Sequence, residues 1–180
     1  ELALLQFYEG GFETALTRLR TTNTNTSTDV ANDAIELKVL ILQNKGPDSL
    51  NVPLQQFAKA RLEHRQRRFQ RALSTLDSLL ASHAQHPLRD EARFLRASVL
   101  RDQGRADSAE AAFAELPLLF PQSPLADRSL FEAARLQEEA LGQPESALAT
   151  YTKLLEAYPS SLLASRARER IRALQTAVNS

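Results

Sequence analysis

The chain repeats itself at intervals of 37 or 38 residues, and that self-similarity leaves few folds open. Phe120-Pro-Gln-Ser-Pro-Leu-Ala-Asp-Arg128 returns 38 residues later as Tyr158-Pro-Ser-Ser-Leu-Leu-Ala-Ser-Arg166. Pro124-Leu-Ala-Asp127 falls on Pro87-Leu-Arg-Asp90 at an interval of 37. The same register pairs Phe57, Phe94 and Phe131, then Ala60, Ala97 and Ala134, then Ala72, Ala109 and Ala147. A period in this range marks a stack of supersecondary units, each too small to bury its own apolar stripe.

The units read as helical. Apolar residues recur with a period near 3.6, as in Leu163, Ala167, Ile171, Leu174 and Val178, and no sustained alternation or hairpin pair of strand type is present. The five glycines, at 10, 11, 46, 104 and 142, all lie between periodic segments, where helices end. Each unit is thus expected to be helix, tight turn, helix, then a proline-marked loop. Pro87 and Pro124 are expected at first helical positions, with Ser123 and Ser161 as N-caps. Pro117 aligns with Leu80 and Leu155 near the end of a second helix, which is expected to finish early or kink.

At the turns, Gly10-Gly-Phe-Glu-Thr-Ala-Leu16, Arg67-Arg-Phe-Gln-Arg-Ala-Leu73, Gly104-Arg-Ala-Asp-Ser-Ala109 and Gly142-Gln-Pro-Glu-Ser-Ala-Leu148 follow small residues at Ala3, Ala60, Ala97 and Ala134. This pattern resembles the tetratricopeptide repeat family over nearly the whole chain. Arg67 stands in a glycine place, and Ala106 and Pro144 stand in aromatic places. The spacing between the two alanines of a unit is 12 residues in three units and 13 from Ala134 to Ala147, so one residue is inserted near the end of that first helix. The long period and the Phe/Tyr-Pro-x-Ser loops resemble the repeats of bacterial envelope lipoproteins and periplasmic coordinators. That likeness implies an envelope or periplasmic location ahead of a cytoplasmic one.

The implied architecture is an all-α, right-handed solenoid of helical hairpins, one segment over residues 1–180. It comprises a truncated repeat (1–22), an extra helix (29–44), repeats at 50–86, 87–123 and 124–160, and a capping helix at 161–176. The interval from Ala15 to Ala72 is too long for one repeat and too short for two. Either the stacking is broken there, or a degenerate repeat shares the helix near residues 50–66. The polar tract Thr21 to Thr28 has nothing apolar to bury and is expected to form a mobile loop. The chain begins at Glu1 and contains no Met, as expected of a piece of a longer protein or a processed form.

Little in the sequence points to catalysis. Cysteine is absent, which removes disulfides, thiolate metal sites and cysteine nucleophiles. His64, His83 and His86 are the only histidines, and no carboxylate trio converges on them in sequence. No phosphate-binding glycine loop or nucleophile elbow occurs. Glu138 and Glu139 are adjacent and so point about 100° apart on a helix. No enzyme activity, cofactor or metal is expected.

Charge is balanced overall but uneven: the segments 1–50, 51–105 and 106–180 carry −3, +6 and −3. Arg61, His64, Arg65, Arg67, Arg68 and Arg71 concentrate the positive charge. A neutral chain lacks the field of a general nucleic-acid binder, and no aromatics are interleaved with this cluster as stacking platforms. The expected function is a non-catalytic module that holds a protein or peptide, acidic segments among the candidates, on the concave face of the solenoid. The alternative is a rigid architectural segment buried in a larger envelope assembly, and nucleic-acid binding through the basic middle ranks last. In the family, ligand contacts come from outward positions of the first helix of each hairpin. Here the resemblance places them at Arg61, His64 and Arg65, then Ser98, Arg101 and Asp102, then Arg135, Glu138 and Glu139. The Phe57, Phe94, Phe131 stripe is open to two readings, core or groove lining.

Overall fold

The computed structural model describes residues 1–21, 28–46 and 51–178. The described residues form ten helices and no strand. The chain divides into two compact units, Glu1–Ala92 and Arg93–Ser180.

The first unit holds α1 (Leu2–Tyr8), α2 (Phe12–Thr21), α3 (Thr28–Asn44), α4 (Val52–Arg65), α5 (Phe69–Ser82) and the first turn of α6 (Arg89–Asp102). Here α1 packs on α2, α4 packs on α5 and also on α1, and α3 lies against α2. The Lys45 ammonium, just past α3, pairs with Glu13 on α2. Leu37 and Ile41 bury one face of α3, while Ile35, Val39 and Leu42 remain exposed on another. The polar tract expected to be a mobile loop lies, apart from its helical ends Thr21 and Thr28, outside the described residues.

The second unit holds the rest of α6, then α7 (Ala106–Leu119), α8 (Ala126–Glu139), α9 (Pro144–Ala157) and α10 (Ala164–Val178). Here α8 packs against α7 and α9, and α9 against α10. Leu130, Phe131 and Ala134 of α8, Ala147, Tyr151 and Leu154 of α9, and Ala167 and Leu174 of α10 form one core cluster. Each large side chain so buried contributes about 1.5–3 kcal/mol. The small residues of the repeat pattern lie at the helix contacts: Ala60, Ala97, Ala134, Ala15, Ala72, Ala109 and Ala147 are fully buried. On α10 the opposite side carries Arg168, Glu169 and Arg172 to solvent.

Hydrogen bonds repeat along with the sequence. In the turn after α1 the Gly10 N–H donates to Phe7 O and the Gly11 N–H to Gln6 O. Arg67 and Arg68 do the same toward His64 and Glu63, and Gly104 and Arg105 toward Arg101 and Leu100. These are Schellman closures, which need a left-handed residue. Gly10 (φ 79°), Gly104 (φ 83°) and Arg67 (φ 57°) supply it. A Cβ on Gly104 would meet nothing within 4 Å, so the backbone angle alone asks for glycine there. The longer turn between α8 and α9 absorbs the inserted residue, with the Gln143 N–H reaching back to Gln137 O.

Three expectations are corrected. Pro87 and Pro124 are not first helical residues; α6 and α8 begin two positions later, at Arg89 and Ala126. Each proline instead follows the opening residue of a turn in which the Arg89 N–H donates to His86 O and the Ala126 N–H to Ser123 O. The fixed φ of proline suits that second turn position. Nor are Ser123 and Ser161 N-caps: Leu125 holds that place on α8 without a side-chain cap bond, α10 begins only at Ala164, and the Ser123 Oγ accepts from the Leu125 N–H at 3.1 Å within the turn. Ser161 Oγ accepts from Leu163 N–H at 3.0 Å, and His86 Nδ1 from Leu88 N–H at 3.2 Å. The third correction concerns Pro117, which does not end its helix early. With Pro117 inside it, α7 runs 14 residues, as α5 and α9 do. Proline lacks the N–H that would bond the Phe113 carbonyl four residues back. The buried Ser129 hydroxyl of α8 donates to that carbonyl instead, at 2.9 Å.

Candidate functional site: the first-helix face of the hairpins

In the second unit side chains bridge the first helices of successive hairpins, α6 to α8, and α8 in turn to α10. Arg101 on α6 donates to Glu132 on α8 at 2.8 Å and to its neighbour Asp102 at 2.8 Å. Arg135 donates to the same Glu132 oxygen at 2.9 Å and lies 3.8 Å from Glu139. Burial works to lower the Arg101 pKa, but the hydrogen bonds and charges of Asp102 and Glu132 outweigh it and raise the value. Glu132 is only 14% exposed, so it acts as a shared counter-ion held between two arginines.

Glu138, 11% exposed, is gripped in the same way by α10. Arg170 meets both its oxygens, with Nε donating at 3.1 Å, and the Tyr151 hydroxyl donates to it at 3.3 Å. Burial, then the Glu138 charge, raises the Tyr151 pKa. The hydrogen bond to Glu138 raises that of Arg170. Ser98 is buried and its hydroxyl donates to Phe94 O of its own helix at 2.9 Å.

The phenylalanine stripe belongs to the interior. Phe57 and Phe131 are buried and Phe94 is half-buried. Phe94 meets Phe113 edge-on at 5.2 Å, and Phe131 meets Tyr151 at 5.4 Å. An arginine from the following first helix then covers each ring. The Arg128 guanidinium lies 5.2 Å from the Phe94 centroid, and that of Arg166 lies 5.0 Å from Phe131.

In the first unit Arg61 lies over the Phe7 ring at 5.7 Å, joining α4 to α1. Burial lowers its pKa, against the raising charges of Tyr8, Glu36 and Asp33. The His64 ring is 6.1 Å from Phe69. Arg65, Arg67, Arg68 and Arg71 are exposed. Glu63 is buried and accepts from the Thr75 hydroxyl at 2.8 Å.

The expected residues therefore fall into two sorts. Arg101, Asp102, Arg135 and Glu139 are joined by charge through Glu132, while Glu138 is held separately by Arg170 of α10. His64 and Arg65 lie near the α4–α5 turn, while Arg61 and Ser98 are taken up in packing. Glu132, Arg128, Arg166 and Arg170 were missed as surface elements. The repeat alignment already paired Arg128 with Arg166, which was the available signal. Among the described residues no helix is long and apolar enough to cross a membrane.

Family models described as tetratricopeptide repeat match residues 57–127 and 128–161, more than half of the chain between them. No curated protein matches the chain. Helical hairpins with buried small residues at matched positions, glycine-type turn closures and these family matches agree: the chain belongs to the tetratricopeptide repeat family.

Proposed function

We propose that this chain is a non-catalytic module that holds a protein or peptide segment on the first-helix face of its hairpins. Tetratricopeptide repeats generally mediate protein–protein interaction or scaffolding, and the family membership gives this reading its start. The observation that carries it further is the ladder Arg101–Glu132–Arg135–Glu139, built across two successive first helices. Its charged groups are held in place by one another, so a partner meets a polar surface that is already ordered. On this reading Arg101, Arg135 and Glu138 belong to the binding surface of the second unit, and His64 and Arg65 to that of the first. Arg61 and Ser98 support those surfaces through their packing. An acidic partner segment would be favoured in encounter more than in final affinity.

The test begins with the protein that co-purifies from the native source. Arg65→Ala and Arg101→Ala should each weaken its binding several-fold and flatten the dependence on salt. Unchanged affinity and an unchanged salt slope in both variants would move the contact to the second helices or the loops.

A second reading, a rigid architectural segment within a larger assembly, draws on a different observation. Ile35, Val39 and Leu42 form an exposed apolar stripe on α3, and Leu2 and Leu5 are exposed on α1. Stripes of this kind favour burial against a neighbour. Under that reading Val39→Lys would release the chain from its native assembly while leaving the first-helix face intact.

A further inference from the structure

Four arginines crowd one end of the α4–α5 hairpin. Arg65 closes α4, Arg67 and Arg68 make the turn, and Arg71 lies in the first turn of α5. All four are exposed, and among the described residues none of their guanidiniums sits in an ion pair. Arg101 and Arg135, by contrast, share Glu132. The carboxylates nearest in sequence do not answer the four. Glu63 is buried and takes the Thr75 hydroxyl, and Asp77 lies more than one helical turn beyond Arg71.

The backbone at Arg67 is an independent sign. The turn needs a left-handed residue, and glycines fill that place after α1 and α6, with φ 79° at Gly10 and 83° at Gly104. At position 67 an arginine is held at φ 57° instead. A side chain in that region strains the backbone, and glycine does not. No hydrogen bond or ion pair of the Arg67 side chain repays the strain among the described residues. Strain kept at such a position points to a use for the charge.

The chemistry of the patch narrows what it can meet. Leu62 and Phe69 are half-buried, and no large apolar side chain is exposed between residues 61 and 71. A protein interface centred there would lack an apolar core, and a nucleic-acid strand would lack a stacking platform. Residues 65–68 are exposed in unbroken succession, so the charge stands on a projecting turn. A flat array of phosphates meets all four charges of such a turn at once, each guanidinium offering paired donors.

We infer that the α4–α5 turn is a docking surface for an anionic lipid bilayer, with Arg65, Arg67, Arg68 and Arg71 lying against its headgroup phosphates. The contact is peripheral, since the patch has no exposed apolar side chain to insert. It goes beyond the partner-binding reading, because Arg67, Arg68 and Arg71 lie outside the first helix. The chain has no net charge, so its attraction to a negative surface comes from this local cluster and not from the molecule as a whole.

Co-sedimentation of the full chain with vesicles of equal parts phosphatidylglycerol and phosphatidylcholine tests this. The chain should partition to them and not to vesicles of phosphatidylcholine alone, and added salt should release it. Each arginine should contribute about fivefold, so Arg68→Gln with Arg71→Gln should bind about twenty-five-fold more weakly. Arg168→Gln with Arg172→Gln makes the same change of net charge on the exposed side of α10 and should bind as the parent does. Arg67→Gly separates charge from fold: it should lose about fivefold in partition while its thermal midpoint rises by about 2–4 °C. Absent or equal partition to the two vesicles, an undiminished double variant, an equal loss in the α10 pair, or a lowered midpoint in Arg67→Gly would each overturn the inference. Release by inorganic phosphate beyond that by chloride at the same ionic strength would replace the bilayer with a discrete phosphate site. Tighter binding, per phosphate, of a thymidine oligonucleotide would replace it with nucleic acid.

Discussion

A buried hydroxyl explains how a proline survives inside α7. Pro117 removes the donor that would satisfy the Phe113 carbonyl, and Ser129 from α8 replaces it at 2.9 Å. Ser129 is completely buried, so no solvent stands by to take over. Ser129→Ala should therefore cost about 1–3 kcal/mol. Where Pro117→Ala has restored the helix's own N–H, the same serine change should cost about 1 kcal/mol less. Urea unfolding of the two single variants and the double variant measures that coupling, and strict additivity would contradict it. Glu91 supplies a second residue-scale case. Burial first, then the hydrogen bond and charge of Asp90, push its carboxyl up to about 8, against an opposing hydrogen bond from Asn44. Glu91 Oε2 and Asn44 Oδ1 are both buried acceptors without a donor among the described residues. The folded state holds the Glu91 proton more tightly than the unfolded chain, where a glutamate titrates near about 4.3. Stability from this group is thus complete below that value and is lost as pH rises toward about 8. Glu91→Gln is neutral at every pH and offers an amide donor. Its melting midpoint should match the parent's near pH ~4 and exceed it near pH ~8.5; equal midpoints at both would contradict the assignment.

At the scale of elements, hairpins, turns and the cap were legible because they rest on local chemistry. Small residues at Ala97, Ala109, Ala134 and Ala147 could be matched by interval, and all four are fully buried. The turn glycines showed through their position, and Arg67 shows that the turn tolerates a replacement at the cost of a left-handed φ of 57°. Proline was legible as a boundary but not in its detail, because a first helical position and the second position of a turn favour the same φ. Leu162 occupies the place of Pro87 and Pro124 and is 97% exposed. Its turn closes in the same way, with the Ala164 N–H donating to Ser161 O as Ala126 does to Ser123. Leu162→Pro should raise stability by about 0.4–1 kcal/mol by restricting the unfolded chain. A lowered thermal midpoint would show that the third loop is not equivalent to the other two.

For the whole molecule, a repeat array makes stability and recognition a matter of neighbours. The sequence located the first helices but not which of their charges remain available. Pairing partners such as Glu132 for Arg101, or Arg170 for Glu138, are 31 and 32 residues away, and only folding brings them together. The same holds for the rings that carry Arg128 and Arg166. How α3 lies against α2 was likewise beyond a periodicity argument, since its exposed and buried stripes are both apolar. The central claim is that a protein partner lies on the first-helix face. Site-specific photo-crosslinking in the native cell tests it most directly, with benzoylphenylalanine placed at exposed Glu139 on α8 or exposed Lys153 on α9. The account predicts one discrete protein adduct from position 139 and none from position 153. The same adduct from position 153, with none from 139, would contradict it.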